Sequence, residues 1–274
     1  MKLFQYLLLL IFSLGLLGSS CNEDDATVGK TTEVTINFLA TYGDEPFILT
    51  LQEYDYPSGN KIRFKDEFGF YISDLVMLEQ QGTDQTELSE IEYVDFNANA
   101  SVQTAEIPYS LTFNVPVGEY KGLRFDLGVP ADLNAMQPGD FGMDDPLAAT
   151  SRYWQSWSSY TFLRLAGCYD RNGDGLETSC NIADEDDTSV VFHTGGNMAY
   201  RSNVSFLKNI TLEENQPYTF DLIVDVREIL APEGDVIELG TTDQLHTNDI
   251  NDPNDIDLIN RSMDNLATRA ITLQ

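Results

Sequence analysis

From Glu33 onward, apolar and polar residues alternate with a period of two. Val34, Ile36 and Phe38 fall on one side of the repeat, Thr35 and Asn37 on the other. Successive side chains of a strand point to opposite faces, so this pattern predicts a strand with one buried face. The same rhythm, or a short apolar run, recurs over residues 47–51, 62–64, 68–78, 109–115, 120–127, 160–165, 189–193, 204–206 and 218–225. Pro116, Val117 and Gly118 supply turn chemistry between two of these segments. They predict that 109–115 and 120–127 pair as a hairpin. Helical spacing is confined to two stretches, roughly 145–153 and 255–267. In the second, Ile256, Leu258, Ile259, Met263 and Leu266 recur on one face. Many short strands divided by turns predict an all-β fold, an antiparallel β-sandwich with short helices and long loops. No fixed-period repeat and no Pro- or Gly-rich linker divides the chain, so residues 33–274 read as one domain.

The first twenty residues are different in kind. Lys2 is their only charge, Leu7 to Leu10, Ile11 and Phe12 form an apolar run, and Gly18, Ser19 and Ser20 lead to Cys21. A basic start, a short apolar stretch and a small-residue exit describe a secretory leader. The run is shorter than the about 20 residues a bilayer span requires. A cysteine directly after Gly-Ser-Ser fits a bacterial lipobox, which predicts lipid on Cys21 as the link to the membrane. Residues 1–20 then form the signal peptide and 21–32 a polar tether. Glu23, Asp24 and Asp25 resemble the export tags of Bacteroidota surface lipoproteins. They extend the expected location to the outer membrane or cell surface, with the periplasm-facing leaflet as the alternative.

The chain carries 45 acidic residues against 15 basic ones, a formal net charge of −30. Such a surface repels phosphate backbones and argues against a nucleic-acid partner. It suits cation capture, and equally a soluble, self-repelling surface. With Cys21 assigned to lipid, Cys168 and Cys180 remain. In an oxidising compartment such a pair favours a disulfide over a metal pair.

No nucleophile elbow, Walker loop, G-x-G-x-x-G or H-E-x-x-H motif is present, which argues against an enzyme. There are two histidines, His193 and His246, and two tryptophans, Trp154 and Trp157. Imidazoles from distant segments can meet as copper or zinc ligands. His193 stands at a predicted strand end before a glycine turn, where a rigid scaffold leaves a site open. The competing reading is a half-buried histidine bonded to backbone. His246 lies in an acidic stretch, and its competing reading is a solvated loop histidine. In 170–176, Asp170, Asn172 and Asp174 alternate, Gly175 permits a tight bend, and the carbonyl of Leu176 completes an arc. This is the opening of a calcium loop. Asn181 stands where an EF-hand places its closing glutamate, so Asp184, Glu185, Asp186 or Asp187 would have to close the shell. The competing reading is an acidic, glycine-rich turn without an ion.

Taken in order, the segments resemble the MbnP-like family of methanobactin-associated copper-binding proteins over roughly 33–270. Phe70-Tyr-Ile-Ser-Asp-Leu75 is similar to its Y-Y-I-S-N-I strand. Gly118-Glu-Tyr120, Leu123-Arg-Phe-Asp-Leu-Gly-Val129 and Leu133-Asn134 resemble its G-x-Y, I-x-F-x-x-G-V and L-N run. Asp145-Pro-Leu147, Tyr153-Trp154 and Phe192-His193-Thr-Gly195 resemble its D-P-L, Y-W-x-W and F-H-x-G segments. The resemblance implies a β-sandwich and a copper site built from histidines and an oxidised tryptophan, made by a dihaem peroxidase-like partner enzyme. His193 matches the F-H-x-G histidine and Trp154 the first tryptophan of W-x-W. Ser156 stands where the family has the second tryptophan, with Trp157 one place later. Ala40 and Thr41 stand where many members carry a histidine. The expected copper site is therefore His193 and His246 with Trp154 beside them. The function implied is copper capture or delivery at the cell envelope. The alternative is a calcium-stabilised surface lipoprotein that binds a protein or glycan and has no copper site.

Overall fold

The computed structural model describes residues 29–57, 59–176, 187–239 and 251–274. Cys21, Cys180 and His246 lie outside them, as do the leader, most of the tether and Asp184, Glu185 and Asp186. Thirteen strands are described: β1 Thr31–Tyr42, β2 Glu45–Pro46, β3 Tyr54–Asp55, β4 Lys61–Glu79, β5 Gln85–Asp95, β6 Tyr109–Pro116, β7 Gly118–Leu127, β8 Tyr153–Trp154, β9 Ser159–Asp170, β10 Asp187–Gly195, β11 Arg201–Leu212, β12 Tyr218–Asp225 and β13 Ile271–Leu273. The α-helices are α1 Val102–Ala105, α2 Ala131–Asn134, α3 Val226–Leu230 and α4 Pro253–Asn265. As the alternation predicts, the fold is a mostly antiparallel β-sandwich with short helices. One sheet runs β13-β12-β1-β2, with β6 also on β1, and the other runs β10-β9-β4-β7-β11, with β3 and β5 on β4 and β8 on β9. The exception is β1 with β12, which run parallel from Val34 opposite Tyr218 to Thr41 opposite Asp225.

Burial explains why these residues form these strands. Along β1 the inward set is Val34, Ile36, Phe38, Ala40 and Tyr42, all buried. Phe38 meets Phe70 of β4 edge-on at 6.4 Å and Phe125 of β7 at 6.1 Å, which locks the two sheets together. Each such ring, removed from water, contributes on the order of 1.5–3 kcal/mol. The end of the sandwich is closed by α3 and α4, whose Ile229, Leu230, Ile259 and Met263 are fully buried.

Several expectations are corrected. The hairpin does not form: β6 pairs with β1 in one sheet, while β7 pairs with β4 and β11 in the other. The Pro-Val-Gly turn is a crossing between sheets, tied by the Tyr120 hydroxyl donating to Pro116 O (2.9 Å). Residues 47–51 are not a strand. Phe47 and Leu49 plug the core, Thr50 has φ +75° and Leu51 is 76% exposed. The segments 62–64 and 68–78 are one long strand, β4, with register shifts in its pairing. Around 145–153 there are two 3-10 turns, at Pro146–Ala148 and Thr150–Arg152, in place of an α-helix. The expected C-terminal helix is α4, and it runs on into a single π turn at Leu266–Ala270. The sequence pattern does not predict β5 and β13, nor the two-residue strands β2, β3 and β8.

β4 is central, and both of its faces are covered. Outside it, the segment 138–154 packs on a layer of tyrosines. Tyr71 donates to Pro146 O (3.0 Å) and Tyr160 to Leu147 O (2.9 Å). This covering segment carries Trp154.

Candidate metal centre

On β10, Phe192 and Thr194 are fully buried, and His193 alternates to the other face with 12% of its side chain exposed. Register then aligns a row across the sheet. His193 stands opposite Arg164 of β9, Arg164 opposite Gly69 of β4, and Gly69 opposite Asp95 of β5. Glu67 sits where the β4–β9 register shifts between Phe64 and Phe68. An irregularity of this kind re-aims a side chain, and here it turns the Glu67 carboxylate toward β9 and β10.

The two carboxylate oxygens of Glu67 have separate tasks. Oε2 accepts from Arg164 Nε (2.8 Å) and Nη2 (2.5 Å). Oε1 lies against Nε2 of His193 in a short hydrogen bond. Burial alone would push the Glu67 carboxyl up. His193 and then Arg164 outweigh it and hold it down at about 2. The half-buried His193 is thus bonded to a carboxylate, where the competing reading had backbone.

Arg164 also orders the segment above. Its Nη1 donates to Ser151 O (2.6 Å), and neighbouring Thr161 donates to Arg152 O (3.0 Å). Those bonds and the short β8–β9 pairing hold Trp154, opposite Ser159, over this face. The Trp154 ring centroid lies 6.1 Å from the His193 ring, and the Trp157 ring lies 5.4 Å from Trp154. A turn with Trp157 N donating to Trp154 O (3.1 Å) brings the second tryptophan back despite its displaced position. Trp157 fits against Gly195: a Cβ there would lie 3.1 Å from the indole and 2.5 Å from Tyr160 O. Beside the site, Arg152 stacks 3.5 Å over Tyr93 and pairs with Asp95 at 3.2 Å.

His193 and Trp154 therefore meet, and Glu67 and Arg164 join them. The available signal for those two was a run of charge, Lys65-Asp-Glu67, and a lone Arg164, each interrupting an apolar strand. The donor set fits copper in kind, since imidazole nitrogen and carboxylate oxygen both bind it. Among the described residues no group of three or more His, Cys, Asp or Glu is arranged to hold a metal. Ala40 faces the core, 1% exposed.

In the 170–176 turn, Asp170 is 1% exposed and accepts from Gly173 N (2.6 Å) and Gly175 N (3.1 Å). Asn172 accepts from Asp174 N (3.0 Å). Asp187, also 1% exposed, stands opposite Asp170 in the β9–β10 register. Cys168 is buried on β9.

A family model described as MbnP matches residues 31–252. Among solved structures, the chain is similar to MbnP from Methylosinus trichosporium at 15% identity, covering 73% of this chain and 78% of that one, with a TM-score of 0.48. No curated protein matches the chain.

Proposed function

The chain belongs to the MbnP family; on that premise we propose that it is a copper-binding protein of the cell envelope, which captures the metal or hands it on. The observation that carries this reading is the meeting of Trp154 and His193 at 6.1 Å, with a carboxylate on the imidazole. His193 would hold copper, His246 would supply a second imidazole, and Trp154 would be the residue oxidised to kynurenine by a dihaem partner enzyme. A binding role, with no chemistry performed by the chain itself, is the reading these residues support. The leader and Cys21 support lipid attachment at the outer membrane or cell surface. Export to an oxidising compartment supports a disulfide between Cys168 and Cys180.

The test is competitive titration of copper into the protein and into His193→Ala and His246→Ala. The reading expects both substitutions to weaken binding, and it fails if neither does.

Calcium at the 170–176 turn is a second proposal. The observation that favours it is the pair of buried carboxylates, Asp170 and Asp187, in register across β9 and β10. Calcium takes clustered oxygen ligands of this kind.

A further inference from the structure

We propose that Glu67 is an oxygen donor to the metal held by His193, and that Arg164 is the residue that positions it. This deepens the copper reading and rests on it. Three observations carry it. Both hydrogen bonds from Arg164 to Glu67 fall on Oε2, so Oε1 is the oxygen turned to the imidazole. Glu67 Oε1 and His193 Nε2 already converge, so one ion can replace the hydrogen bond between them and release any shared proton to solvent. Arg164 is itself fixed by Ser151 O at 2.6 Å and by its register place between His193 and Gly69. The carboxylate is therefore held beside the imidazole before metal arrives, rather than recruited from solvent, and an entering ion has to part the two atoms.

A carboxylate is a harder ligand than imidazole, thiolate or thioether. Mixed nitrogen and oxygen sets suit Cu(II), whereas soft sulfur ligands select Cu(I). Glu67 thus biases the site toward the oxidised ion. Arg164 offsets part of the carboxylate's charge and keeps Oε2 out of the coordination shell, which makes Glu67 a one-oxygen ligand.

The experiment is chelator competition with Cu(II) and, separately, Cu(I), on the purified protein and on Glu67→Gln, Arg164→Lys and the double variant. Glu67→Gln keeps the side-chain shape and a hydrogen-bonding end. Its Cu(II) affinity should fall by about tenfold or more, its Cu(I) affinity should change far less, and its Cu(II) electron paramagnetic resonance spectrum should shift. Arg164→Lys should also weaken Cu(II) binding, by about tenfold as substitutions behind a metal ligand do, and by no more than Glu67→Gln. Because Arg164 acts through Glu67, the double variant should lose no more than Glu67→Gln alone. Wild-type Cu(II) affinity and an unchanged spectrum in Glu67→Gln would overturn the proposal. If His193→Ala abolishes binding in that same series, the copper reading survives and only the oxygen donor is rejected. If His193→Ala and His246→Ala both bind both ions like wild type, the copper reading itself is rejected.

Discussion

Glu67 and His193 lie 126 residues apart in the chain and touch across the sheet. The contact needs two features of the backbone: the register shift that turns Glu67, and the alternation that sends His193 away from buried Phe192 and Thr194. Around it, Arg164 connects the carboxylate to the segment bearing Trp154. One side chain thus couples sheet, cover and candidate ligands.

The fit of Trp157 against Gly195 gives a structural test of the site wall. Gly195→Ala places a methyl group against Tyr160 O and the indole. Overpacking of this kind costs about 1–3 kcal/mol. Thermal unfolding should show that loss, and the tryptophan emission maximum should move as the ring is displaced. Unchanged emission and stability would mean that the indole does not rest there.

Asp170 shapes its turn because its buried carboxylate accepts hydrogen bonds from two backbone amides, Gly173 N and Gly175 N. Hydrogen bonds to a charged group contribute about 1.5–3 kcal/mol each. Asp170→Ala removes both and should therefore lower stability by about 3–6 kcal/mol even without calcium. Added calcium should raise the melting temperature of the wild-type protein and leave the variant where it is. Equal melting temperatures with and without calcium in wild type would reject the calcium proposal but not the turn.

Tyr54 predicts alkaline sensitivity. Burial raises its hydroxyl from 10 to about 12. The neutral phenol donates to Pro46 O (2.9 Å) and accepts from Ile48 N (2.6 Å). The folded value lies above the unfolded one, so this stabilisation is complete below about pH 10 and is lost as pH climbs toward 12. Tyr54→Phe leaves the Ile48 amide unsatisfied and should cost about 1–3 kcal/mol at pH 8. The gap between wild type and variant in denaturant melts should close between pH 10 and 12. A constant gap across that range would contradict the assignment.

Trp154, half-buried on the covering segment beside His193, is the expected target of oxidation. Mass spectrometry of protein from the native host should find the kynurenine shift on the peptide holding Trp154. A fully unmodified Trp154 peptide in copper-loaded native protein would remove the oxidised ligand from the account.

How far these features could be read from residue order depends on the kind of signal. Alternation exposed β1, β6, β7 and β12, because each buries one face in a single core. It carries no information on partners, and so the 109–127 segment read as a hairpin although its halves serve different sheets. β5 escaped notice because Thr86, Glu87, Ser89, Glu90 and Glu92 dominate it, while Ile91, Tyr93 and Val94 are buried near one end. Central β4 lacks alternation because both of its faces are covered, so it read as two strands. His193 was singled out as one of only two histidines, at a predicted strand end, and likeness to a family added Trp154 beside it. Glu67 was not, since a carboxylate between Asp66 and Phe68 resembles a polar break until the backbone shift shows where it points.

The most direct measurement is an anomalous difference map collected at the copper edge from crystals grown with copper. One strong peak is expected between Nε2 of His193 and Oε1 of Glu67, about 2.0–2.2 Å from each, the range zinc takes with the same donor atoms. A copper peak away from both side chains, or none at full occupancy, would contradict it.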